Sequence, residues 1–153
     1  MQPVMQKVLD LSRWMTRKLE LVDYWNTNKA RILSRTVQRG SIYVCELGEN
    51  IGDEKNKQRP VVVVSNDHIN QRSGNVVVAA LSTNVKLTPE GSLRYRSHYL
   101  LKQSKYHFLV KDSVVLCEDI RVVSKARLGS HLGDVDEEDM FRMRNRLAYV
   151  LGL

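Results

Sequence analysis

Cysteine is scarce in this chain. Cys45 and Cys117 are the only two in 153 residues and stand in unrelated contexts, so no disulfide scaffold, C-x-x-C redox pair or zinc cluster can be drawn from them. A reducing cytoplasm is the expected setting. No apolar run approaches the roughly 20 residues a membrane-crossing helix needs. The start Met1-Gln2-Pro3-Val4 has no basic region followed by an apolar core, so neither membrane insertion nor export is expected. Internal repeats and low-complexity tracts are also lacking. A chain of this size removes roughly 70% of its unfolded surface from water on folding, enough for one core without staples.

What the sequence does have is positive charge, with 24 Lys and Arg against 17 Asp and Glu, a formal net of +7. Its placement is uneven. Residues 1–39 carry eight basic and three acidic side chains, residues 40–133 thirteen and nine, and residues 134–153 three and five. Two basic regions followed by an acidic one make a polyanion the first partner to consider, although a solvated basic surface reads the same way.

Between Val4 and about Ser34 there is neither Gly nor Pro, and Met5, Val8, Leu9, Met15, Leu19 and Val22 recur at three- and four-residue steps. This is the pattern of an amphipathic helix, with a break expected near Asn26-Thr27-Asn28. Leu11, Trp14, Leu21 and Trp25 widen its apolar stripe, which the rest of the chain or another subunit is expected to cover. From Gly40 to about Val123 the pattern turns to β. Strands are expected at 41–47, 60–65, 75–81, 94–101, 114–117 and 120–123, with 48–58, 66–74 and 88–91 as loops. Alternation in 94–101 puts Arg94, Arg96 and His98 on one face and Tyr95 and Tyr99 on the other. Asp136-Glu137-Glu138-Asp139 opens a final helix with its acids at the positive end of the dipole. Short strands with irregular connections and terminal helices predict an α+β, mainly β domain built on a small, curved sheet or barrel.

Six blocks in order then resemble one family: Arg39-Gly40-Ser41-Ile42-Tyr43, Ile51-Gly52-Asp53-Glu54, Gln58-Arg59-Pro60 with Val61 to Asp67, Val78-Ala79-Ala80-Leu81-Ser82, Asp112-Ser113-Val114-Val115-Leu116, and Asp119-Ile120-Arg121. Their order and spacing are similar to those of the MazF/PemK toxin endoribonucleases. The resemblance divides the chain into an N-terminal helical extension, 1–38, outside it and a toxin domain, 39–153. It implies an SH3-like barrel with a C-terminal helix, a homodimer, cleavage of single-stranded RNA without a metal or other cofactor, and neutralisation by a cognate antitoxin.

Metal-free RNA cleavage uses the substrate's own 2′-hydroxyl as nucleophile. The protein has to accept that proton, stabilise a crowded anionic phosphorane and help the 5′-oxygen leave. Arg59 suits the second task, since a guanidinium offers a fixed fork of donors and stays charged. Taken without the resemblance, an arginine at a strand entry is more often an ion-pair partner. The resemblance places a hydroxyl at Ser82, where the family carries threonine, with Thr83 as the alternative if the register slips by one. It places a carboxylate at Glu54, a candidate proton acceptor or a partner for Arg59. Lys55, Lys57, Thr83, Arg94, Arg96 and His98 are the expected RNA contacts, mixing cations with nearby rings.

Two competing readings remain. A CcdB-like gyrase poison would share the fold but relies on a Trp-Gly-Ile tail, whereas this chain ends Val150-Leu151-Gly152-Leu153. A non-enzymatic nucleic-acid-binding or assembly module would dispense with Glu54, Arg59 and the Ser82 hydroxyl, all of which are present.

Overall fold

A computed structural model describes residues 3–153. The order of elements is α1 (Pro3–Ser34), β1 (Ser41–Glu46), β2 (Gln58–Val63), α2 (Asp67–Arg72), β3 (Asn75–Ser82), β4 (His98–Leu101), β5 (Ser113–Ser124), a 3-10 turn (Lys125–Arg127), β6 (Leu128–Asp134) and α3 (Glu137–Leu151). All neighbouring strands run antiparallel in one sheet, ordered β4-β5-β3-β2-β1-β6. The sheet is not closed into the barrel that the resemblance implies, because β4 and β6 remain edges.

Strand alternation assigns the two faces. Ile42, Val62, Ala79, Leu81 and Val115 project to one side and pack with Met140 and Met143 of α3. Tyr43, Cys45, Val61, Val63, Val76 and Val78 project to the other and form a second cluster with Val37, Val123 and Leu128. The β-branched runs read from the sequence are therefore buried on both faces, which is why they lack a polar alternate. α3 starts at Asp136, whose side chain accepts from the Asp139 N–H at 2.8 Å. It ends at Gly152, where the left-handed conformation costs a residue without Cβ little.

The helix at 3–34 matches the expected span, and its kink falls at Asn28, where φ is −119°. The Asn28 side chain donates to the Tyr24 carbonyl at 3.1 Å, competing for the acceptor its own N–H would use in a regular helix. The docking face differs from expectation. Trp14, Leu21, Trp25 and Ile32 turn toward the sheet domain, and Leu21 and Ile32 are buried. Met5, Val8, Met15, Leu19 and Val22 instead stay half or more exposed.

Other boundaries moved for identifiable reasons. Residues 114–117 and 120–123 belong to a single 12-residue strand, because the Cys117–Asp119 stretch is a bulge rather than a turn: Ala79 pairs with Ile120, whereas Leu81, two residues on, pairs with Val115. The 66–74 loop contains a short helix, capped by the Asn66 side chain on the Ile69 N–H. β6 went unread because Leu128-Gly129-Ser130-His131-Leu132-Gly133-Asp134 has glycines and polar residues of an edge. The strand expected at 94–101 begins only at His98.

Candidate active site

Val61 of β2 pairs with Ala80 of β3. The hydrogen-bonded ladder stops at that pair, but continuing its register two residues sets Arg59 opposite Ser82 and, by alternation, on the face of Val61 and Ala80. Side chains directly across an antiparallel pair have Cβ atoms about 5 Å apart. Arg59, Ser82 and Thr83 indeed line one open cleft of about 320 Å³, with Gln58, Pro60, Leu81 and Ser113.

The electrostatics of that cleft favour an anion. Among the described residues Arg59 forms no salt bridge and no side-chain hydrogen bond, so the ion-pair reading of this arginine has no partner to support it. The Ser82 Oγ accepts from the Asn84 N–H at 3.1 Å. A hydroxyl has one proton to donate and two lone pairs, so that contact orients the oxygen and leaves its proton free for the cleft. Thr83 is exposed at the rim of the same cleft.

Glu54 is not brought to Arg59. Its carboxylate accepts from the Ile51 N–H at 2.8 Å, turning back on its own loop. With Lys55, Asn50, Glu118, Asp119 and Arg121 it lines a second cleft, also of about 320 Å³, floored by Val61, Val78 and Ala80. The first cleft is lined by residues 58–60 and 81–83 and the second by Val61, Val78 and Ala80, so the two adjoin along β2 and β3. Lys55 faces Asp119 at 3.6 Å. Burial alone would raise the Glu118 carboxyl pKa, but hydrogen bonds from backbone, Ser97 and His98 bring it below its ordinary value. Asp119 and Arg121 stand in the family-like blocks of the sequence, but nothing local marks either as part of the site. Reading 118–119 as a gap between strands hid the signal, and the bulge is what aims these side chains into the cleft.

The remaining cations disperse. Lys57 adopts φ +65° and lines a different cleft, between α1 and the 47–57 loop. Arg94 lies over the Tyr95 ring at 5.6 Å, and Arg96 over the Tyr149 ring of α3 at 4.5 Å. His98 is 7% exposed and its Nε2 lies 2.9 Å from the Glu118 carboxylate. It is thus a buried bridge beneath the second cleft, not part of a continuous Arg94–Arg96–His98 face, because the extended segment that would have aligned the three begins at His98 itself. Neither cysteine offers a nucleophile at neutral pH, as burial pushes the Cys45 thiol up to about 11 and that of Cys117 up to about 12. Among the described residues no group of three or more His, Cys, Asp or Glu is placed to hold a metal ion, and no helix is long and apolar enough to cross a membrane.

Comparison with known proteins gives these clefts a context. Residues 38–151 match the PemK-like, MazF-like toxins of type II toxin–antitoxin systems. An endoribonuclease MazF of Staphylococcus epidermidis is 35% identical over 117 residues, 76% of this chain and 92% of the relative. Among solved structures, an endoribonuclease from a mycobacterial species superposes with a TM-score of 0.60 at 26% identity, covering 78% of this chain and 94% of its own. A mycobacterial endoribonuclease in complex with its cognate antitoxin gives 0.60 at 27% identity, covering 76% and 96%. A MazF from Deinococcus radiodurans shares the fold, with a TM-score of 0.64 over 78% of this chain and 99% of that one at 20% identity.

Proposed function

Because this chain belongs to the PemK-like, MazF-like toxin family, we propose that it is a toxin endoribonuclease that cuts single-stranded RNA between Arg59 and Ser82, by attack of the ribose 2′-hydroxyl on the adjacent phosphorus. The observation that carries this reading is an arginine without a protein partner lining one cleft with a serine whose hydroxyl oxygen accepts from a backbone N–H and keeps its own proton. A cognate antitoxin restrains it; the mycobacterial relative is solved in complex with its own cognate antitoxin. It acts in the cytoplasm as a homodimer.

The chemistry follows from these groups. The 2′-oxygen forms a bond to phosphorus as its proton departs, and negative charge accumulates on the two non-bridging oxygens. The Arg59 fork donates to one of them and the Ser82 O–H to the other, both held by strands and therefore in place before charge develops. The 5′-oxygen then leaves with the bonding pair and takes up a proton from solvent water, so the products carry a 2′,3′-cyclic phosphate and a 5′-hydroxyl. Arginine is a poor source of that proton because a guanidinium does not give up its proton in a protein. In this reading Glu54 accepts the 2′-hydroxyl proton, which requires the loop to swing its carboxylate off the Ile51 N–H and toward the phosphate that Arg59 and Ser82 hold. The second cleft offers acceptors at Glu118 and Asp119 beside donors at Lys55 and Arg121, a set suited to the edge of an unstacked base. Thr83 and Lys55 line the path of the strand, while Arg94, exposed on the 83–97 loop, extends it.

Incubation of the full chain with a long unstructured RNA in EDTA tests the proposal. Cleavage to cyclic-phosphate ends is expected from the wild type and is lost in Arg59→Ala. Intact RNA with the wild type favours the binding-module alternative.

A further inference from the structure

The loop joining β1 to β2 is sandwiched. On one side its residues Leu47, Asn50, Glu54 and Lys55 line the second cleft of the proposed RNA site. On the other side it rests on α1, which lies outside the family match at 38–151. Lys7 Nζ meets the Glu49 carboxylate at 2.8 Å, and that glutamate side chain is only 8% exposed. The Trp14 ring covers Gly48 so closely that a Cβ there would sit 2.4 Å from Cε2. The Arg127 guanidinium lies 5.5 Å from the centre of the Trp14 ring. Arg17 Nε meets Glu46 at 2.9 Å, and the same carboxylate accepts from the Gln58 side chain at 3.0 Å. Glu46 and Gln58 are paired across β1 and β2, one residue before Arg59.

Lys7, Trp14 and Arg17 fall on one side of a helix with 3.6 residues per turn, and each meets the loop or the strand end that launches it. The loop itself is drawn shut by Leu47 N–H to Lys57 O at 2.9 Å and Lys57 N–H to Gly48 O at 2.6 Å. We propose that α1 is a brace for the 47–57 loop, and that Lys7, Trp14 and Arg17 are positioning residues that preset the RNA cleft from behind. This rests on the proposed function for its catalytic consequence, but not for its mechanical one. A loop already ordered pays less to bind a strand than one that must be ordered by it. The brace therefore acts on substrate affinity more than on the chemical step, which belongs to side chains held by β2 and β3.

The test uses the full-length protein with Trp14→Ala, Trp14→Phe and Arg17→Ala, and Trp25→Ala as a control. Trp25 packs on Gly74 at the far end of α1, so its loss weakens helix docking without touching the loop. Amide exchange and RNA cleavage are both read. Exchange at Lys57 is expected to quicken about tenfold in Trp14→Ala and KM to rise about 5- to 10-fold with kcat within about twofold. Trp14→Phe recovers part of both, Arg17→Ala shows a smaller rise of the same kind, and Trp25→Ala leaves both near wild type. Unchanged exchange at Lys57 in Trp14→Ala and Arg17→Ala overturns the brace, whatever the activity. Equal effects from Trp25→Ala overturn it in favour of general helix docking. If the wild type cleaves no RNA, the functional reading fails and the exchange data alone decide on the brace.

Discussion

Arg59, in β2 just after the 47–57 loop, and Arg17, which meets Glu46 just before it, illustrate how the two regions of the molecule are built. Arg17, on α1, is ion-paired with Glu20 and Glu46, and those hydrogen bonds raise its pKa above the ordinary value. Arg59, on β2, has no such partner among the described residues and opens into a cleft. The arm spends its cations on holding structure, whereas the sheet domain leaves one unsatisfied where an anion can complete it. Their apolar residues differ in parallel. The sheet is buried on both faces, while α1 docks through Trp14, Leu21, Trp25 and Ile32 and leaves a second apolar row in solvent.

The contrast can be broken most sharply by activity. Arg59→Ala is expected to lower kcat by about 10²–10³ with an unchanged melting temperature, whereas Arg17→Ala should leave kcat within about twofold; equal losses would dissolve the distinction between the two arginines. Stability offers the next test. Met143 of α3 is 0% exposed and Met15 of α1 is 58% exposed. In urea unfolding, Met143→Ala should cost about 2–5 kcal/mol and Met15→Ala less than about 0.5 kcal/mol.

A third test concerns acid. Burial works to raise the Asp139 carboxyl pKa, but hydrogen bonds from Lys105, Tyr106 and Tyr99 overcome it and hold the group at about 2. The folded value lies below the unfolded one of about 3.9, so the stabilisation is fully present above that pH and is lost as pH falls toward 2. Asp139→Asn should thus be less stable than wild type above pH 5, on the order of 2 kcal/mol, and the gap should close between pH 4 and 2. A gap independent of pH would mean that the carboxylate is not what holds β4, its loop and α3 together. The smallest effect is expected in the arm, where Lys7→Ala removes a part-exposed ion pair and should cost at most about 1 kcal/mol in the same unfolding assay.

Much of this was legible in the chain. The helical period of 4–34 and its interruption by Asn28 were visible because an uninterrupted run without Gly or Pro leaves few alternatives. The face that docks was not, since Trp14, Leu21 and Trp25 and the exposed Met15–Leu19 row are equally apolar and only the shape of the sheet distinguishes them. The β-branched runs announced β2 and β3, whereas the choice of Arg59 and Ser82, which line one cleft, came from the family resemblance. The second cleft was hidden because it depends on a bulge at Cys117–Asp119, which local pattern reads as a break. His98 was misleading for a related reason. Its apparent alternation with Arg94 and Arg96 needs an extended segment that starts only at His98, so a side chain read as surface is a buried partner of Glu118.

The claim on which the rest depends is that Arg59 and Ser82 act on one phosphate. A double-mutant cycle on kcat, with Arg59→Ala, Ser82→Ala and both together against one single-stranded RNA, measures this directly. Groups that work as a unit give grossly non-additive losses, so the double variant should fall little below Arg59→Ala alone. Losses that multiply would show two independent contributions and contradict the shared site.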